Sequence, residues 1–401
     1  MLFSFIFCLS AEEPRVSHIQ IEEGLDLFLQ PIPDVGIAFV SFRYNIGKTQ
    51  LPGMPHFFEH LLFEHTVDGR NYDQWLEEAG GYSKAHTDLS FLRLQAYVPS
   101  ESVPLLLHLE GQRMRHLCDS LSEEAIQNQK LIVIQESINT QLQAAPFHTH
   151  LLRQAIFGDH PLGMDVLGDM FALTFWEKEE VCSFLRNDLN RFPLQVFVVG
   201  DIDTDSLVQQ TTLEFAGRNR TALPVYETIP AQNAHLETEG DTDALYAMWP
   251  IPAADHPDST ALQLWHILLS HSQIGRLKHP TIVSRGWIEQ TPNGGYLVLR
   301  LEGDSPHALE AHLKRQWEQI FCPFWGITKR NIDDAHAVQH RYVVHAQQRL
   351  EGRVKRMEYC VDRKSKYPCF QASAITQRNL RKVWERWFLW EKASFLTVRT
   401  P

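Results

Sequence analysis

Two histidines and a glutamate stand together in Pro55-His56-Phe57-Phe58-Glu59-His60-Leu61-Leu62-Phe63. On an α-helix, residues four apart lie one turn apart on the same face, so the imidazoles of His56 and His60 can reach one ion. Zinc suits two imidazoles, and a catalytic zinc takes three protein ligands and keeps one position for water. Glu59 adjoins His60 and is off the ideal ligand face, yet it can lean over a metal-bound water as general base. The ion lowers the pKa of that water to about 7, and the carboxylate takes its proton as hydroxide attacks a carbonyl. The spacing alone is moderately specific. The chain has 20 histidines, and a helix with two exposed or internally bonded ones would share the pattern.

The elements that would position these residues follow from periodicity. His18 to Gln30 and Gly36 to Tyr44 predict two strands, and Gly47 to Gly53 a loop. A helix is expected to start near Pro55, where proline suits the first turn. Tyr72 to Ala79 predicts a second helix ended by Gly80-Gly81, and Leu89 to Val98 a strand. Long amphipathic stretches follow at Val103 to His116, Glu123 to Gln143 and Thr149 to Phe157. Thr174, with Glu177 three residues on, predicts a helix start by a capping box, and Gln195 to Val199 a short strand. Residues 221–242 are rich in Pro, Thr and Asn and predict a linker. Beyond it a similar order recurs: Ala244 to Trp249, Ser259 to Ser270, strands around Gly295 to Leu301, His307 to Phe321, and a last strand Ser394 to Val398. The pattern predicts a duplicated α+β unit with helices covering a mixed sheet.

Composition narrows the function classes. The 401 residues are 44 % hydrophobic and 21 % charged, with a net charge of −12. That acidity argues against nucleic acid as a partner, and the basic run Arg378 to Arg386 reads as a solvated helix face. No stretch approaches the ~20 apolar residues of a membrane span. Six cysteines without a CxxC pair are expected to be buried free thiols. Met1 to Ala11 resembles the apolar region of a secretory signal, assigned to residues 1–15. The compartment is then periplasmic or secreted if that segment is a signal, and cytoplasmic otherwise.

H-x-x-E-H is the inverzincin order, the reverse of H-E-x-x-H. With its surroundings, the chain resembles the pitrilysin/insulinase family (peptidase family M16) of zinc metallopeptidases. Leu51-Pro52-Gly53 precedes HFFEH, Leu61-Leu62-Phe63 and Thr66 follow it, and Glu136 lies 76 positions beyond His60. Gly80-Gly81 with Ala85 and Thr87 is similar to the family's edge strand, and His160-Pro161 and Val198-Val199-Gly200-Asp201 fall where similar pieces occur. Gly275-Arg276-Leu277 and Arg285-Gly286-Trp287 look like the second domain of the long insulinase-like enzymes. The chain resembles the catalytic N-terminal half of the insulinase-like or coenzyme-PQQ-biosynthesis-type peptidases.

The resemblance implies a catalytic domain at 16–220 and a non-catalytic family domain at 243–401, both α+β and of the metallopeptidase LuxS/MPP-like type. It implies one Zn2+ per chain on His56, His60 and Glu136, with Glu59 as catalytic base. It implies a peptide substrate laid against Tyr82, Ser83, Lys84, Ala85, His86 and Thr87 as an added strand. The expected activity is that of an endopeptidase on peptides or small unfolded proteins. A non-catalytic subunit of a two-part peptidase and a dedicated precursor-peptide protease are the alternatives. Three positions depart from the family. Gln129 replaces a glutamate that supports the zinc ligands, Lys84 replaces the edge-strand asparagine, and His65 replaces a glycine. His65 is expected to be solvent-exposed, with a regulatory metal contact as the alternative, and His86 to be solvent-exposed, with a substrate contact as the alternative. The family's substrate-binding Arg/Tyr pair is not found, so a homodimer, or a heterodimer with a second family half, is expected to supply it.

Overall fold

A computed structural model describes residues 15–46, 51–218, 220–221, 233–270, 283–319, 327–367, 369 and 375–401. Most of the signal segment, part of the loop before Gly53, much of the linker and Gly275-Arg276-Leu277 lie outside them. In the first unit, β1 (Ser17–Glu22), β2 (Leu25–Pro31), β3 (Ile37–Asn45), β6 (Tyr82–Thr87), β7 (Phe91–Pro99) and β8 (Leu194–Gly200) form one sheet. Its order is β1-β2-β8-β3-β7-β6, and a small hairpin of β4 (Thr66–Val67) and β5 (Arg70–Asn71) lies apart. In the second unit, β9 (His235–Glu239), β10 (Ala244–Ile251), β11 (Val283–Thr291), β12 (Gly294–Glu302) and β13 (Ser394–Arg399) are ordered β11-β12-β10-β13-β9.

The two sheets share a path. In each, an early strand runs parallel to the last strand, β2 with β8 and β9 with β13. Antiparallel neighbours then follow in the same succession, β3-β7-β6 and β10-β12-β11. The chain is therefore an α+β protein with two similar, mostly antiparallel sheets covered by helices, as the pattern predicted. By this topology β11 is the second unit's counterpart of the edge strand β6.

Each sheet buries one face under its own helices. Leu27, Val40, Leu94 and Val198 alternate inward from the first sheet, and Leu245, Trp249, Leu299 and Phe395 from the second. The opposite faces are covered crosswise. Helix Ala144–Phe157 lays Leu152 and Ile156 on Tyr246, Met248 and Val398 of the second sheet. Helix Leu350–Asp362 lays Val354 and Met357 on Phe39, Phe197 and Val199 of the first. A polar layer crosses that second contact: Arg43 pairs with Asp362 at 2.9 Å, Arg93 with Glu358 at 3.2 Å, and Ser41 donates to Glu358 at 3.1 Å. Removing one partner from such a buried set leaves a charge uncompensated, which costs about 3–5 kcal/mol.

Several expectations are corrected. His18 to Gln30 is two strands, because Gly24 at φ +76° turns the chain back on itself. The predicted linker 221–242 contains β9, which pairs along the outer side of β13. Glu177, not Thr174, caps a helix start: its side chain and that of Glu180 close the capping box of Lys178–Asn187, while Thr174 ends a separate short helix, Met170–Phe175. Four cysteines are not free thiols, since Cys118 is bonded to Cys182 and Cys360 to Cys369. The run Arg378 to Arg386 lies on helix Gln377–Trp387 with its basic side chains exposed, as expected. Among the described residues, no helix is long and apolar enough to cross a membrane.

Candidate metal centre

The eight-residue helix Met54–Leu61 carries His56, Glu59 and His60. A helix this short is not stable alone, so packing must hold it. Phe57 and Phe58 are fully buried, in ring contact with Trp176 and Phe184. At its start, Gly53 takes φ +87° and meets the backbone of Gly168 in the loop after Asp165. At its end, Arg113 donates to the carbonyl of Leu62 at 3.3 Å, a cation where the helix leaves carbonyls unpaired. Arg113 is itself paired with Glu110, which accepts from the Tyr44 hydroxyl at 2.7 Å. This buried set ties the helix to β3.

Helix Glu123–Gln141 packs beside it and supplies Glu136. The Glu136 Oε2 atom lies 3.3 Å from Nε2 of His60 and 3.6 Å from Nε2 of His56, and one ligand atom from each residue lies within 4.8 Å of the others. Zinc ligands about 2.1 Å from a tetrahedral centre are roughly 3.4 Å apart, and the two Glu136 distances match that spacing, so these three side chains could share one ion. The Nδ1 atom of His56 is buried and has no hydrogen-bond partner among the described residues.

Burial governs the electrostatics. It holds His56 at a pKa of about 4, with the neighbouring His60 acting in the same direction, so the ring is neutral and ready to ligate at neutral pH. Burial likewise pushes the Glu59 carboxyl up to about 7. The Thr87 hydrogen bond opposes that rise, and the Glu136 charge adds to it.

The other predicted site residues lie nearby in different roles. Edge strand β6 pairs on one side with β7, and among the described residues no strand pairs with its other side, at the end of the sheet. Thr87, at its end, donates to Glu59 Oε2 at 2.5 Å, so the strand expected to hold substrate also holds the base. Tyr82, Lys84 and His86 face outward, and Ser83, Ala85 and Thr87 are less exposed. Ser83 donates to Asp73, and the Lys84 ammonium pairs with Glu351 of the second unit at 2.8 Å. Gln129 sits two turns before Glu136 and donates to Glu64 at 2.7 Å. The expectation for His65 is corrected: it is buried and shares a 2.8 Å hydrogen bond with Ser120. His86 is exposed, as expected. Asp165 was missed; its charge reaches His56, and only folding brings it there.

The fold and the grouping of these side chains can be set against known proteins. The profile of "Insulinase (Peptidase family M16)" matches residues 47–170, and that of "Peptidase M16 inactive domain" matches residues 176–320. The chain belongs to peptidase family M16. An uncharacterized zinc protease of Rickettsia felis is 23 % identical over 203 residues, 49 % of this chain and 49 % of that one. The chain therefore spans about half the length of that relative. A protease from Helicobacter pylori superposes with a TM-score of 0.80 at 17 % identity, covering 96 % of this chain and 100 % of that one. The periplasmic protease PqqL from Escherichia coli gives 0.70 at 15 % identity, covering 97 % of this chain but 48 % of its own.

Proposed function

We propose that this chain is a zinc-dependent endopeptidase acting on peptides or small unfolded proteins, with one zinc per chain. The observation that carries this reading is the convergence of His56, His60 and Glu136 with Glu59 beside them. A bound zinc ion would supply a Lewis acid and a water acidic enough to act as nucleophile near neutral pH. His56 and His60 would hold it through Nε2 and Glu136 through Oε2. Glu59 would take the proton of the attacking water and pass it to the leaving amine. Thr87 keeps the Glu59 carboxylate in place, and burial keeps its basicity high. The open edge of β6 would bind the peptide through main-chain hydrogen bonds, which favours extended substrates of varied sequence.

The proposal includes a second family half, from another copy of this chain or from a partner, closing over the site. The match to 48 % of PqqL supports it. So do exposed apolar side chains near the Glu136 helix, among them Leu131, Leu142, Phe171 and Phe175. Chelation tests the metallopeptidase reading. Removing metal should abolish cleavage of an unstructured peptide, and one equivalent of zinc per chain should restore it. Cleavage that survives chelation would overturn it.

A further inference from the structure

Beside the metal ligands lies a cavity of about 730 Å³ that none of the steps above uses. Ser137 and Thr140 of the Glu136 helix form its near wall. Its far wall is the face of β11 on which Arg285, Trp287 and Glu289 alternate. Arg153 and His150 close it from helix Ala144–Phe157.

Two of the three arginines in this cavity form no ion pair among the described residues. Glu289 accepts the Tyr296 hydroxyl, and Asp165 faces the His150 ring at 3.6 Å. Arg300 is paired with Glu302. Arg153 donates to the Met164 carbonyl at 2.6 Å and reaches no carboxylate, and its Nε is buried without a hydrogen-bond partner among the described residues. Arg285 likewise has no ion pair among the described residues. Two guanidinium groups thus line one cavity with no carboxylate at ion-pair distance among the described residues, while the Glu289 and Asp165 carboxylates of the same cavity are turned to the Tyr296 hydroxyl and the His150 ring. A guanidinium presents a fork of N–H donors that matches a carboxylate, and Trp287 and Phe147 add apolar surface to the same lining.

We propose that this cavity is a carboxylate-binding subsite, in which Arg285 and Arg153 select a peptide by an acidic side chain or by its C-terminal carboxylate. The inference rests on the reading that peptides are bound and cleaved at the adjacent His56-His60-Glu136 centre. It makes the second unit, through its own edge strand, a determinant of specificity.

The test uses a fluorescein-labelled decapeptide of Ala, Ser and Gly around a central Phe. Glu or Gln is stepped through each position, and every version is made with a free and an amidated C-terminus. Affinity for the zinc-loaded Glu59→Gln full-length chain is read by anisotropy, and cleavage by the wild type is followed in parallel. At one position, Glu should bind at least tenfold tighter than Gln, or the free C-terminus tenfold tighter than the amide. The first result assigns a side-chain carboxylate and the second a terminal one. Either preference should fall below twofold in Arg285→Gln and shrink in Arg153→Gln. Cleavage and binding with no preference for a carboxylate, or a preference unchanged in both variants, would overturn the subsite and leave the peptidase reading standing. Neither binding nor cleavage of any peptide would overturn both.

Discussion

Replacing Gly53 by alanine should loosen the metal helix at its root. At φ +87° an L side chain costs about 1–2 kcal/mol. The added Cβ would also lie 2.6 Å from Gly168 Cα, 2.7 Å from Leu167 O and 2.9 Å from Gly168 N. Those contacts are about an ångström short of ordinary carbon packing, and all are backbone, so no side chain can swing aside. Overpacking of this kind costs a further ~1–3 kcal/mol, for a total near 3 kcal/mol. Gly69 is the control: it has φ +76° and nothing within 4 Å of an added Cβ, so Gly69→Ala should lose only the ~1–2 kcal/mol conformational term. Urea unfolding of zinc-free protein measures both losses, and a chelator competition measures zinc affinity. Gly53→Ala should be the less stable by roughly 1–3 kcal/mol and should bind zinc at least about tenfold more weakly. Equal stability of the two variants would refute the claim that the Gly53–Gly168 contact positions His56.

Three further outcomes are expected. Thr87→Val should keep its zinc but lose about tenfold or more in kcat/KM, because a hydrogen bond to a charged group is worth roughly 1.5–3 kcal/mol; unchanged kinetics would free Thr87 from that role. Burial holds His65 at about 4 against an ordinary 6.5, so the unfolded chain binds the extra proton in that window. The stability this confers is present above pH 6.5 and is lost as pH falls toward 4, by at most about 3 kcal/mol, and His65→Gln should flatten that slope in urea melts at pH 7 and 4.5. Removing Cys118–Cys182, which closes a 64-residue separation, should cost about 4 kcal/mol, and removing Cys360–Cys369, separated by 9, about 2–3 kcal/mol. Four reactive thiols from these residues in the native protein would contradict both bonds.

Local chemistry was legible in the chain and remote pairing was not. His56 and His60 could be placed on one helix face because four-residue spacing is a property of the helix itself. Glu136 came from family resemblance, since nothing in its own segment shows which helix lies beside it. The strands with inward apolar alternation, β3, β7, β10 and β13, were readable within a residue or two of their observed ends. β9 was not, because His235-Leu236-Glu237-Thr238-Glu239 pairs on one side only and buries little. The disulfides left no trace in spacing: Cys118 and Cys182 lie on separate helices, and Cys360 on a helix is joined to Cys369 beyond its end. His65 read as exposed because the Ser120 that receives it lies 55 positions away. The cavity beside the metal centre needs β11, which the periodicity did not separate from its neighbours.

The most direct test of the central claim is hydrolysis of an unstructured peptide by the wild type and by Glu59→Gln, with zinc measured on the same samples. Zinc near one per chain in both, and cleavage lost only in the variant, is the predicted result. Comparable cleavage by the variant would contradict Glu59 as the base, and a wild type that takes up no zinc would contradict the centre itself.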